Sequence, residues 1–122
     1  SCCGRYIAGM IDYTHRGARA LVLLHEAHLR RFLEVWKRAR ARGIVLEARG
    51  DPDYASLETL LRHVLGAARG YMVWCCEVLE LPDPGIRPAP DAEEIEAEAE
   101  AFLGAVNQAY KARAFILAGK GA

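Results

Sequence analysis

The 122-residue chain predicts an all-α fold, a four-helix bundle, on three observations. Three long segments place apolar residues at every third or fourth position. No alternating strand pattern competes with them. Between the second and third segments stand Pro82, Pro84, Pro88 and Pro90, which cannot continue a helix and form a stiff crossover. With 52% hydrophobic and 26% charged residues, the chain can bury one core and has no room for a second.

The first segment runs from Tyr6 to Arg42. Advancing about 100° per residue from Leu21, the residues Ile7, Met10, Ala18, Leu29, Phe32, Val35 and Trp36 fall within about 80° of it. Asp12, Glu26, Arg30 and Glu34 point away. An unbroken helix of this length would span about 55 Å, so Gly9 and Gly17 are expected break points. A short lead helix before Gly17 then supplies the fourth helix. Lys37, Arg38, Arg40 and Arg42 precede Gly43, placing cations at the negative end of the helix dipole before a terminating glycine.

Gly50, Asp51 and Pro52 read as a turn, and Asp53 or Ser56 can cap the second helix, which stops near Leu81. Taking Leu60 as zero, Leu57, Val64, Ala67, Tyr71, Trp74, Cys75 and Val78 lie within about 60°, with His63 at the border beside Gly70. That register turns Cys75 inward and Cys76 outward. The third helix opens at Asp91 with Glu93, Glu94 and Glu96, an acidic start suited to the positive helix end. Its stripe is Ile95, Ala99, Phe102, Val106, Ala109, Ile116 and Leu117, and Gly119 and Gly121 mark its end. The expected organisation is one domain over 1–122: helical segment 5–42 broken near Gly17, helix 56–81, crossover 82–90 and helix 91–118.

Sixteen basic residues balance sixteen acidic ones, so net charge gives no reason to expect nucleic acid or an anionic membrane as partner. No stretch approaches the roughly 18 apolar residues of a membrane span, and SCCGRYIAGM lacks the pattern of a signal peptide. A cytoplasmic protein is expected. The four cysteines form two adjacent pairs, Cys2–Cys3 and Cys75–Cys76, and read as reduced thiols.

Function is sought where polar residues interrupt the apolar stripes. Thr14, His25 and His28 lie within about 40° of the first stripe's centre, and Arg113 occupies a stripe position on the third helix. Inward imidazoles and an inward guanidinium need partners or a hydrated pocket. The expectation is a cavity lined by His25, His28, His63, Arg113 and Thr14, with Tyr71, Trp74 and Cys75 as its apolar wall. The plainer alternatives are hydrogen-bonded histidines at the rim, a snorkelling Arg113 and a buried Cys75 acting as a small hydrophobe. His15 lies off the stripe and is read as solvated.

Three stretches, ASLETLLRHVLGAARGYMVW, LPDPGIRPAPDAEEIEAEAE and HLRRFLEVWKRA, resemble the second helix, crossover and opening helix of the DinB/YfiT-like superfamily of helical bundles. The likeness covers about half the chain. It implies a four-helix bundle and a zinc- or nickel-dependent hydrolase or thiol S-transferase, in which three histidines hold a divalent ion that activates water or a thiol. His63 stands at the family's first ligand position, and His25 and His28 are the candidates to complete the set. The family's paired ligands, H-x-x-x-H on a final helix that would follow residue 122, do not occur in this sequence. YIAGMIDYTHRGARAL resembles that last helix moved ahead of the first, with Tyr13 and Gly17 in place of the histidines. This implies a circularly permuted or engineered scaffold whose metal site is emptied. Three functions remain open: a metal enzyme, a metal-free pocket for a small molecule or for designed catalysis, and a non-catalytic interaction protein whose apolar surface forms a homodimer.

Overall fold

The computed structural model describes the backbone of residues 4–47 and 50–121 and the side chains of residues 20–47 and 50–113. The expected placements of Cys2, Cys3, Ile7, Met10, Thr14, His15, Ala18, Ile116 and Leu117 lie outside the described side chains. All regular structure among the described residues is helical: α1 (Gly4–Ala41), a 3-10 turn (Pro52–Tyr54), α2 (Leu57–Val78) and α3 (Ile95–Gly121). Three long helices thus stand where four were expected. The break near Gly9 or Gly17 is not made, and α1 is continuous over 38 residues. A glycine inside a helix costs only about 1 kcal/mol relative to alanine, too little to end it without a proline or competing turn.

Helix ends follow local chemistry. Gly43 takes φ 68°, which lets the Ile44 N–H reach back to Ala39 O at 3.1 Å. Ser56 caps α2: its hydroxyl accepts the Thr59 N–H while the Thr59 hydroxyl accepts the Ser56 N–H. At the far end Glu80 adopts φ 55° and the Leu81 N–H donates to Cys76 O at 2.8 Å, so α2 closes before Pro82 is reached. Asp91 O accepts from both Glu94 N and Ile95 N at the start of α3. The basic end of α1 finds carboxylates as well as a dipole: Lys37 Nζ lies 2.6 Å from Glu100, and Arg40 Nε lies 3.6 Å from Glu96 and 3.9 Å from Glu58.

Pairings along the helices fix their directions. Glu26 meets Lys111 at 3.0 Å and Lys37 meets Glu100, so α1 and α3 run antiparallel. The crossover runs back along α2, held by Arg69 Nε donating to Ile86 O at 2.8 Å and Arg62 Nε to Pro90 O at 3.0 Å. It therefore returns the chain to the starting end of α2 and makes α3 parallel to α2. α3 is the shared helix, burying Ile95, Ala99, Phe102, Leu103, Val106, Ala109 and Tyr110. Against it pack Leu29, Leu33 and Trp36 of α1, Leu57, Leu61, Leu65, Ala68, Met72 and Cys76 of α2, and Ile86 of the crossover. α1 and α2 touch each other little, and the buried Trp36 Nε1 joins them by donating to Leu57 O at 2.6 Å.

The faces that α1 and α2 turn inward differ from those expected. Leu21 is 69% exposed and Val35 is exposed, while Tyr71, Trp74 and Val78 also face out. Counting about 100° per residue, each helix is rotated by roughly 80–110° from its expected stripe. The physical reason lies in the residues available. Both helices are apolar over a wide arc, and the leucine-rich part of each arc packs against α3 without leaving a phenol or indole unpartnered in the core. The same rotation reverses the cysteines: Cys76 is buried, Cys75 is half-buried, and both are free thiols. No helix among the described residues is long and apolar enough to cross a membrane.

Replacing Trp36 by Phe removes the only indole hydrogen bond between α1 and α2 among the described residues, and a loss of about 2 kcal/mol in urea unfolding is expected; a change within about 0.5 kcal/mol would contradict the assignment. Glu80→Gly relieves a left-handed backbone conformation and is expected to stabilise the chain by about 1 kcal/mol in the same assay. Destabilisation would show that the Glu80 side chain holds the crossover.

Candidate functional site

The splay of α1 and α2 away from their Trp36 junction opens a cavity of about 370 Å³ at the other end of the body. Leu21, Val22 and His25 of α1 form one wall and Tyr71, Met72, Cys75 and Cys76 of α2 the other. Tyr110 and Arg113 of α3 lie between them, and Leu79 and Leu81 close the end. The lining is apolar but for a few groups.

Tyr110 and His25 organise the polar part. The Tyr110 hydroxyl donates to Ala68 O at 3.0 Å, which fixes its ring, and the His25 imidazole stacks on that ring with centroids 4.2 Å apart and planes 24° from parallel. Burial, with Cys75 and Tyr71 close by, pushes the Tyr110 hydroxyl up to about 12, so the phenol stays neutral and donating. Burial, and then the charge of His28, holds His25 below its ordinary 6.5. The imidazole is therefore neutral near pH 7. Two buried polar atoms in this lining have no hydrogen-bond partner among the described residues, His25 Nδ1 and Arg113 Nε. A terminal nitrogen of Arg113 reaches Asp83 O only at a long 3.5 Å.

Of the residues expected at a site, the structure brings His25, Tyr71, Cys75 and Arg113 together. It does not bring His63 or His28. His63 lies about 12 Å back along the α2 axis from Tyr71 by helix rise. There its Nδ1 is 3.3 Å from Asp53 Oδ2 and its ring 6.1 Å from that of Tyr54. His28 is exposed, because it stands about 60° around α1 from His25 on the side away from the buried Leu29, Leu33 and Trp36. Trp74 is outside the cavity, tilted against Tyr71 with centroids 5.7 Å apart. Among the described residues no three His, Cys, Asp or Glu side chains are grouped so as to hold a metal ion. Thr14 lies outside the described side chains.

Sequence reasoning missed Val22, Met72 and Tyr110. Tyr110 had a signal, since it falls one helical turn after Val106 and three residues before Arg113 on the inner face of α3. Three residues before Tyr110, Asn107 is 3% exposed and neither polar atom of its amide has a partner among the described residues. It is not part of the cavity lining. Comparison with known proteins assigns no relative: no family model, no curated protein and no solved structure matches the chain.

The low affinity of His25 for a proton has a consequence for stability. The unfolded chain, with an ordinary imidazole at 6.5, takes up the proton before the folded chain does. Stability from this residue is full above about pH 7, falls as the pH drops through 6.5, and stops falling once the folded imidazole is also protonated. Thermal melts at pH 7.5 and 5 are expected to show a larger fall for the parent chain than for His25→Gln. Equal falls would show that His25 is solvated in the folded state.

Proposed function

We propose that the chain binds a small, largely apolar molecule carrying a carboxylate, with its apolar body between α1 and α2 and its head at Arg113 and His25. One observation carries this reading: an apolar cavity of about 370 Å³ is lined by two buried polar atoms that have no hydrogen-bond partner among the described residues. Binding cavities for small molecules fall at roughly 300–1,000 Å³ and combine an apolar lining with a few converging polar groups. A guanidinium has donors and no acceptor, and a neutral imidazole can add a further donor, so the complementary head is an acceptor. Charge-assisted bonds of this type also favour an anion over a neutral alcohol. The metal-dependent chemistry implied by the DinB/YfiT-like resemblance is not part of this reading, because His63 sits apart from His25.

Calorimetric titration with decanoate and with decanol tests the proposal. One decanoate per chain is expected. Arg113→Met is expected to weaken decanoate at least tenfold, about 1.4 kcal/mol, while changing decanol less than threefold. Met72→Trp, which adds volume to the wall, is expected to abolish both. Equal affinity for the two probes in the parent chain, or no binding of either, would overturn the proposal.

A further inference from the structure

Two bases line the cavity, His25 and Arg113, and among the described residues no aspartate or glutamate lines it with them. The carboxylates nearest in sequence are engaged elsewhere. Glu26, the residue after His25, lies 3.0 Å from Lys111 Nζ. Asp83 offers Arg113 only its backbone carbonyl, at 3.5 Å, while its side chain accepts the Gly85 N–H at 2.8 Å. The titratable and charged groups around the imidazole are His28 on α1 itself, Tyr110, Lys111 and Arg113 on α3, and Tyr71 and Cys75 across the cavity on α2. Lys111 is balanced by Glu26, and the others are bases, phenols and a thiol. A proton placed on His25 therefore meets no carboxylate counter-charge in the described lining.

We infer that binding at this site is proton-linked: a carboxylate ligand supplies the counter-charge that His25 lacks and loads a proton onto the imidazole, so that imidazolium and guanidinium hold the head together. The inference rests on the carboxylate reading above and adds its regulation. In the free chain the proton is disfavoured, because the ring lies in an apolar lining, stacked on Tyr110 and near His28. A carboxylate within about 4–6 Å reverses that balance, since an opposite charge at this range moves a titration by about 1–3 pH units. Tyr110 does not serve as the switch, because its hydroxyl is committed to Ala68 O at 3.0 Å and stays neutral to about 12. Arg113 is charged at every pH of interest, so it gives the site its preference for an anion. His25 makes that preference depend on pH. The bound imidazole keeps its proton to a higher pH than the free one does. Affinity therefore rises as the pH falls through the bound form's midpoint, and levels once the free form is protonated too. The ligand is taken up on the acid side of neutrality and released on the alkaline side.

Calorimetric titration of the full chain with decanoate, in two buffers of the same pH whose own heats of ionisation differ, counts the protons taken up. At pH 7 a net uptake of a fraction of a proton per decanoate is expected, and none for decanol, which brings no charge. Between about pH 8 and 6 the probe's carboxyl stays ionised, and decanoate is expected to gain about fivefold or more in affinity, decanol less than about twofold. His25→Gln is expected to weaken decanoate and to abolish both the uptake and the pH dependence. His28→Gln, at an exposed position outside the cavity, is expected to keep both. Arg113→Met is expected to weaken decanoate at every pH and to keep the slope. Decanoate that binds the parent chain without taking up a proton would overturn the inference and leave the carboxylate reading standing. So would an uptake that persists in His25→Gln. Failure of decanoate to bind at any pH would remove the carboxylate reading and this inference with it.

Discussion

The burial of Phe102, Leu103 and Val106 around more than one side of α3 is the constraint on which the rest depends. A chain of this length buries a single core, and here one helix supplies the inner surface for two others and for the crossover. α1 and α2 both spend their leucine faces on α3, and little remains to join them to each other. They meet where Trp36 reaches Leu57 O and part toward the other end. The cavity and the uncovered apolar face both arise from that parting.

The cavity's chemistry does not improve stability. A buried donor or acceptor left without a partner costs about 1–3 kcal/mol, a large share of the 5–15 kcal/mol by which a domain is typically stable. Among the described residues such atoms stand at His25 and Arg113 together, against the same apolar walls. Groups that break the packing rules at one place are where a function is expected to reside. Tyr110 shows the opposite case. Its hydroxyl is satisfied by Ala68 O, and it serves as the platform on which the unsatisfied imidazole is held.

What was legible in the sequence was local. The Ser56 cap and the Gly43 stop each act within a turn of their own position, and the structure uses both, whereas α2 ends at Val78, before Pro82 is reached. The rotation of the helices was not legible. α1 and α2 are apolar over more of their circumference than one core face requires, so which part turns inward is decided by α3, a partner remote in sequence. Cys75 and Cys76 exchanged places for that reason. His25 and Arg113 were recognisable as polar interruptions of an apolar stripe, and Tyr71 and Cys75 as its apolar wall, and the structure places all four at the cavity. It does not place His63 and His28 there, because the rotation of roughly 80–110° turns both away from the face packed on α3. The fourth helix was misread because glycine was taken as a break, whereas Gly9 and Gly17 are carried within one continuous α1.

Native-state amide hydrogen exchange tests the central place of α3 most directly. If α3 is the shared core helix, amides between Ala99 and Tyr110 exchange only through global unfolding and are the slowest in the chain, while those of α1 around Leu21 and of α2 around Trp74 exchange sooner through local opening of the uncovered face. Slowest exchange in a pair formed by α1 and α2, with α3 opening first, would contradict this arrangement.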